Sequence, residues 1–572
     1  MSTKSYWERF QRERISRRRL LAVAGTSAAG LAVVVACGGG DEGPDEGTPG
    51  TTGTPQTLGT PVRGGRYKDA EQVEFDNLDP VLGIANSPTW FPRMYNVLVN
   101  QASTKPEFII NDLAEEYEAP EPGGVEWIFT IRPGVKIAPN TLGVPERDLD
   151  AEDARVAFER MRTDEGANAG AFTKQWIDSM TASADRTTFT IKTKGPYAYF
   201  LFRIGLYVST IFPREFAEQD IDMAQQGVGA GPFVLVPGSF VPSQGLKLDR
   251  NPNYYRKDER TGEQLPYIDG IDVSVIPDRG ARRTAFLSQQ IHNYTAENIG
   301  EANELLAGNS HLYQLLDPNF FFIAFTMNPT KKPWDDPRIR KAANLALNRQ
   351  DYVDRIEQGE GAPNGLVHWP LGAYALPPEE LEQLQPYQPE ESKRLIREAT
   401  GQDTITVKVM YPANTDLQKH NQVLPIWLQQ MEAAGFVIEK EPEAFATWLT
   451  RYTQKQYDAS LSLNQAYESP DIPLDFHHSK GPIGDGTYVI GVGALEPEVD
   501  KAIEDHKKVT NPEELVAAVH DVQRLIYEKG PAFLPIYSWY DYRLFWDFVK
   551  NWPEGLPVAE NLVNTWWLEG AT

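Results

Sequence analysis

Hydrophobic positions recur along this chain at two spacings, and the two alternate. From Val125 to Arg132, Trp127, Phe129 and Ile131 alternate with Ile128, Thr130 and Arg132, which predicts a strand. Asp150 then offers an N-cap, and Ala154, Ala157, Phe158 and Met161 follow at helical spacing. Asp336-Pro337 opens a second helix, with Ile339, Ala342, Ala343, Ala346 and Leu347 as its buried stripe. Leu424, Trp427, Leu428 and Met431 predict a helix that stops at Gly435, and Phe436 to Glu441 can follow as a strand. Phe445, Trp448, Leu449 and Tyr452 give the next helix, and Ala459, Leu461 and Leu463 the next strand. Leu515, Val519, Val522 and Ile526 mark a long helix near the end. Alternating strands and helices predict an α/β protein with a parallel or mixed sheet. There is no internal repeat.

The first 63 residues follow a different pattern. Lys4, Arg9, Arg12, Arg14, Arg17, Arg18 and Arg19 stand against only Glu8 and Glu13, and an uncharged apolar run extends from Leu20 to Ala36. Ser16-Arg17-Arg18-Arg19-Leu20-Leu21 has the twin-arginine form, with Arg17 and Arg18 just before the apolar run. At roughly 17 residues, broken by Gly25 and Gly30, that run suits a processed signal better than a permanent span. It closes on Val34-Val35-Ala36-Cys37, which resembles the bacterial lipobox and makes Cys37 the expected lipid anchor. Cys37 is the only cysteine in 572 residues, so no disulfide, Cys-type zinc site or cysteine nucleophile is available elsewhere. Residues 38–63 are nearly all Gly, Pro, Thr and acid, a composition that cannot build a core and reads as a disordered tether. The working part is therefore expected outside the cytoplasmic membrane, held to the bilayer through acylated Cys37.

Charge narrows the function. The chain carries a net charge of −25, and setting aside the signal's +5 leaves −30 on the remainder. That excess argues against a nucleic-acid partner and against lying flat on anionic lipid. Catalytic signatures are missing: no Gly-x-Ser-x-Gly, no His-Glu-x-x-His and no phosphate-binding Gly-rich loop with Lys-Ser/Thr. His477-His478 reads as an ordinary loop pair, since neighbours on a strand point to opposite faces. Asp335-Asp336 and Glu379-Glu380 read as helix starts rather than as a paired-carboxylate site. No catalytic residue, metal ligand or cofactor is expected.

Six ordered segments carry a family resemblance. They are Leu78-Asp79-Pro80 leading to Tyr95-Asn96-Val97-Leu98-Val99; Asp112-Leu113-Ala114-Glu115-Glu116-Tyr117-Glu118 followed by Trp127-Ile128-Phe129-Thr130-Ile131-Arg132-Pro133-Gly134-Val135-Lys136; Asp150-Ala151-Glu152-Asp153-Ala154; Gly229-Ala230-Gly231-Pro232-Phe233; Asn251-Pro252-Asn253-Tyr254-Tyr255; and Trp334-Asp335-Asp336-Pro337-Arg338-Ile339-Arg340. In this order they resemble the extracellular solute-binding proteins of family 5, the oligopeptide, dipeptide and nickel class of ABC-importer receptors.

The resemblance implies a type II periplasmic-binding-protein fold, two lobes with a hinge plus an extra domain. Lobe I would combine 64–100, 215–318 and 530–572, the extra domain 101–214, and lobe II 319–529. A monomer is implied, with a peptide or other small solute in the cleft and ABC permease subunits as partners. Peptide-binding members place an aspartate shortly before an acidic-Pro turn, where it pairs with the ligand ammonium. Here the matching stretch is Leu463-Asn464-Gln465-Ala466-Tyr467-Glu468-Ser469-Pro470-Asp471, and no aspartate precedes Pro470. Glu468 or Asp471 would have to replace it, because an unpaired buried ammonium is costly. Asn464, Gln465 and Tyr467 suit a hydrogen-bonding wall, and Tyr537 and Trp539 an aromatic platform, so a neutral or sugar-like solute competes with peptide. A sensor without transport and a secreted hydrolase are the remaining alternatives.

Overall fold

The computed structural model describes residues 59–75, 77–83, 87–101, 109–121, 124–206, 209–219, 221–318, 321–413, 419–465, 469–479, 496–552 and 565–570. Arg17, Arg18, Cys37 and most of the tether lie outside them.

Helices form where the cap and the buried stripe agree. The Asp150 carboxylate accepts from the backbone N–H groups of Glu152 and Asp153, while Asp153 accepts in return from the N–H of Asp150. This capping box starts the helix Ala151–Thr163, which buries Ala154, Ala157, Phe158 and Met161. Asp336 caps Pro337–Leu345 with proline in the first turn, and Ala346 and Leu347 are buried just beyond its end. Pro512–Lys529 buries all four expected positions.

Two expectations shift. Helix His420–Ala433 buries Val423, Ile426, Trp427 and Met431, whereas Leu424 and Leu428 are only partly covered. Tertiary partners set its rotation, with Phe325 packed 4.9 Å from the Trp427 ring. Phe445, at the first residue of Phe445–Thr453, is 37% exposed because the helix has not yet turned onto the core there. Gly435, at φ 96°, provides the left-handed residue that ends His420–Ala433 before the strand Phe436–Glu443.

Three larger sheets organise the chain. In the first, Arg66–Glu71 pairs in parallel with Gly270–Val275, which continues antiparallel to Gly245–Arg250 and then Phe233–Leu235. An antiparallel sheet of Ala114–Glu118, Glu126–Ile131, Thr188–Thr193 and Ile177–Ala182 carries the helix Ala151–Thr163. The third has eight strands, in which Ile405–Pro412 lies in parallel between Phe436–Glu443 and Ala459–Gln465. This is the mixed sheet that the alternating pattern predicts.

One strand of that sheet runs unusually long. Phe533–Trp546 pairs through residues 533–537 with Phe321–Met327, and through 540–546 with Leu312–Pro318. The chain thus passes between the two halves of the sheet along neighbouring paths, once near Pro318 and once between Tyr537 and Tyr540. Separate cores lie on either side: one around Ile323, Trp334, Trp427 and Leu534, another around Phe286, Tyr294 and Leu544. Trp427, Trp448, Trp566 and Trp567 are all enclosed. No helix among the described residues is long and apolar enough to cross a membrane.

Candidate functional site

Loops diverge where parallel strands end, so ligands of open α/β sheets bind outside the carboxyl ends of those strands. In the large sheet these ends are Pro412, Glu443 and Gln465, and residues 466–468 beyond Gln465 lie outside the described residues. Asn464 and Gln465 occupy the last two positions of their strand, opposite Phe322 and Phe321 at the crossing between the halves. Ile323, two residues on, lies opposite Tyr537. Backbone placement therefore brings Asn464, Gln465 and Tyr537 to one corner of the sheet. Tyr467 and Glu468 fall outside the described residues.

Tyr537 and Trp539 are enclosed at this corner by a buried ion pair. The Tyr537 hydroxyl donates to Glu357 Oε1 at 3.2 Å, and its ring stacks on Tyr352 with centroids 6.0 Å apart. Lys419 donates to both carboxylate oxygens of Glu357. Its ammonium also lies 5.2 Å from the Trp539 ring centroid and 5.9 Å from that of Tyr542, within cation–π range. Burial raises the Glu357 pKa and lowers that of Lys419, and each opposes the other's shift through its charge. The face of Trp539 is occupied by this lysine. Close by, Gln422 Nε2 donates to Glu297 Oε1 at 2.9 Å, joining the helix after Pro412 to the segment after the strand Asn293–Ala296.

Asp471 sits in a second buried network. Tyr197 Oη donates to its Oδ2 at 2.7 Å, Arg203 Nη2 approaches the same oxygen at 3.3 Å, and Ser469 donates to Oδ1. Arg203 Nε in turn donates to Tyr197 Oη at 3.1 Å. Four residues on, Asp475 accepts from Lys507 at 2.6 Å on both oxygens. Burial alone would raise the Asp471 pKa, but Arg203 and Lys507 pull it down. For Asp475 burial prevails and the pKa rises. The Asp471 carboxylate is thus spoken for by the protein's own cation. His477 and His478 follow in a turn with both rings buried, and His478 Nε2 lies 3.3 Å from Glu504.

Arg203, Tyr197, Glu357 and Lys419 escaped the sequence reading. Arg203 and Tyr197 lie more than 260 residues before Asp471, Glu357 lies 62 residues before Lys419 and 180 before Tyr537, and no local spacing marks any of them. The left-handed backbone of Lys419, φ 67°, gives no sequence signal either.

Comparison with known proteins matches residues 109–484 to the family model for bacterial extracellular solute-binding proteins, family 5. The glutathione-binding protein GsiB of Salmonella typhi is 26% identical over 331 residues, covering 57% of this chain and 59% of that protein. The chain thus aligns with about three fifths of this curated relative. Among solved structures, the periplasmic binding protein DppA from Helicobacter pylori in complex with the peptide STSA superposes with a TM-score of 0.73 at 20% identity. That match covers 89% of this chain and 99% of DppA. MoaA from A. tumefacien R10, in complex with mannopinic acid, gives a TM-score of 0.71 at 21% identity, over 89% of this chain and 100% of the other.

Proposed function

The chain belongs to the bacterial extracellular solute-binding proteins of family 5, and from that premise we propose that it is the extracytoplasmic receptor of an ABC importer. It captures a peptide or similar small solute in a cleft between two lobes and hands it to the permease. The observation that carries this reading is the corner at Asn464, Gln465 and Tyr537, where parallel strands end beside the two paths joining the halves of the sheet. A solute bound there contacts both sides and stabilises the closed arrangement over the open one. Lobe I comprises 64–100, 215–318 and 530–572, the extra domain 101–214 and lobe II 319–529, with the hinge at the crossings.

Acylated Cys37 tethers the receptor to the outer face of the cell membrane, and residues 38–63 give it reach. Tethering raises its effective concentration at the permease, and the multiple acyl chains of a lipoprotein cysteine hold far better than one. Cys37→Ala should therefore move the exported protein from the membrane fraction to the soluble fraction, as read by fractionation and immunoblot. Retention of the variant in the membrane would rule out the acyl tether.

A second reading replaces peptide with a neutral or sugar-like solute. Its support is specific: no aspartate precedes Pro470, and Asp471 is engaged by Arg203, Tyr197 and Ser469. The two readings separate in a thermal-shift screen of the full chain against tripeptides, oligosaccharides and sugar-amino-acid conjugates. The class that raises the melting temperature by several degrees and returns chemically intact identifies the solute. Turnover of any of them would favour a hydrolase instead.

A further inference from the structure

A buried carboxylate needs a cation, and nearly all the deep ones here have it. Among the described residues, Asp79, Asp112, Asp153, Glu215, Asp258, Glu357, Asp471 and Asp475 are buried, and each lies within 4.0 Å of an arginine or lysine. Glu71 differs. It is half-buried. Its Oε1 accepts from the Trp90 indole N–H at 2.7 Å, which fixes the side chain, and no ion pair of 4.0 Å or less engages it among the described residues.

Its position in the fold is as telling. Glu71 is the last residue of Arg66–Glu71, so it stands at the carboxyl end of the parallel pair in the first sheet. The neighbouring segment links that strand to the crossing region: Asn293 donates to Asp69 Oδ1 at 2.8 Å, and Glu297, four residues later, accepts from Gln422. Gln422 belongs to the helix that follows the carboxyl end of Ile405–Pro412. Segment 293–297 therefore bridges the strand that ends at Glu71 and the helix that follows Ile405–Pro412, along one seam.

Resting on the receptor reading above, we propose that Glu71, oriented by Trp90, is a solute-binding carboxylate in that seam, and that it takes a protonated amine or guanidinium of the solute. It would supply the counter-ion that is missing ahead of Pro470. Burial, with Asp69 adding to it, raises the Glu71 pKa to about 7, while the Trp90 hydrogen bond and the charges of Arg543 and Arg282 oppose the rise. A bound cation favours the ionised form, so affinity for a cationic solute should increase as pH rises from about 5.5 to 7, below the range in which a peptide amine of pKa about 8 loses its own proton.

Titration calorimetry of the full chain with tri-alanine and N-acetyl-tri-alanine tests the assignment, on wild type, Glu71→Gln and Glu71→Asp. Tri-alanine should bind the wild type with the stated pH trend. Glu71→Gln should lose at least tenfold in affinity and the pH trend, with Glu71→Asp in between and the acetylated peptide indifferent to the substitution. Circular dichroism melts of the three proteins check that folding is unchanged, as expected for a near-isosteric change at a part-exposed position. Equal affinity of Glu71→Gln and wild type for tri-alanine overturns the proposal, as does failure of the wild type to prefer the free amine. The two readings fail separately. A co-purified solute without a basic nitrogen leaves the receptor intact and sinks the Glu71 assignment; a protein that carries and binds no small molecule sinks both.

Discussion

Replacing Asp471 with alanine should cost about 3–5 kcal/mol of stability, because it removes a buried carboxylate that pairs with the buried Arg203 guanidinium and breaks the network around it. Both side chains are almost fully enclosed, at 4% and 0% exposure, so solvent screening gives no relief. The substitution also removes the acceptor of the Tyr197 and Ser469 hydroxyls. Urea unfolding should show a lower midpoint. Substituting both partners with apolar residues, Arg203→Met with Asp471→Leu, should recover more than half of the loss, since a buried pair stabilises little relative to well-packed hydrophobic groups. The pair also sets an acid limit. The folded-state pKa of Asp471 lies below its unfolded value of about 3.9. Its contribution is therefore complete above pH 4 and is lost as pH falls through the lowered folded value. A loss smaller than about 1 kcal/mol for the single variant would show that water reaches the network and screens the charges.

Lys419→Met should have an effect of the same order, about 3–5 kcal/mol at neutral pH, by stranding the Glu357 carboxylate beneath Tyr537 and Trp539. Here the pH dependence has the opposite sense. Burial already raises the Glu357 pKa, and without Lys419 it must rise further. A group with a raised folded-state pKa contributes most at low pH and loses that contribution as pH climbs through the folded value. The gap between variant and wild type should therefore narrow as pH falls from 8 toward 5. Lys419→Met combined with Glu357→Gln should restore most of the midpoint, since the amide still accepts from Tyr537 and carries no charge. If the single variant were equally destabilised at pH 5 and pH 8, packing of the lysine stem rather than charge would be what holds this corner.

Local signals were legible in the chain wherever one side chain does one job. Asp150 and Asp336 cap the helices they were expected to open. Ala459 and Leu461 alternate into the core of the strand they predict. The rotation of His420–Ala433 was not legible, because positions one residue apart can exchange faces and only Phe325 across the core decides between them. At the candidate site, the backbone corner of Asn464, Gln465 and Tyr537 could be anticipated from family-like segments. The charges around it could not. Trp539 and Asp471 read as free contributors in sequence, yet each is matched by a cation from far along the chain, Lys419 and Arg203. Glu71 was equally silent: one acid among 80, half-buried and, among the described residues, without the ion pair within 4.0 Å that each buried carboxylate has.

The central claim is that this protein holds one small solute and leaves it unchanged. Native mass spectrometry of the full chain, purified gently from the cells that make it, addresses that claim directly. The expected spectrum shows the protein mass plus one small molecule per chain, released intact on denaturation. A protein carrying no extra mass and taking up none of the tripeptides, oligosaccharides or conjugates offered, or one that releases them chemically altered, would contradict it.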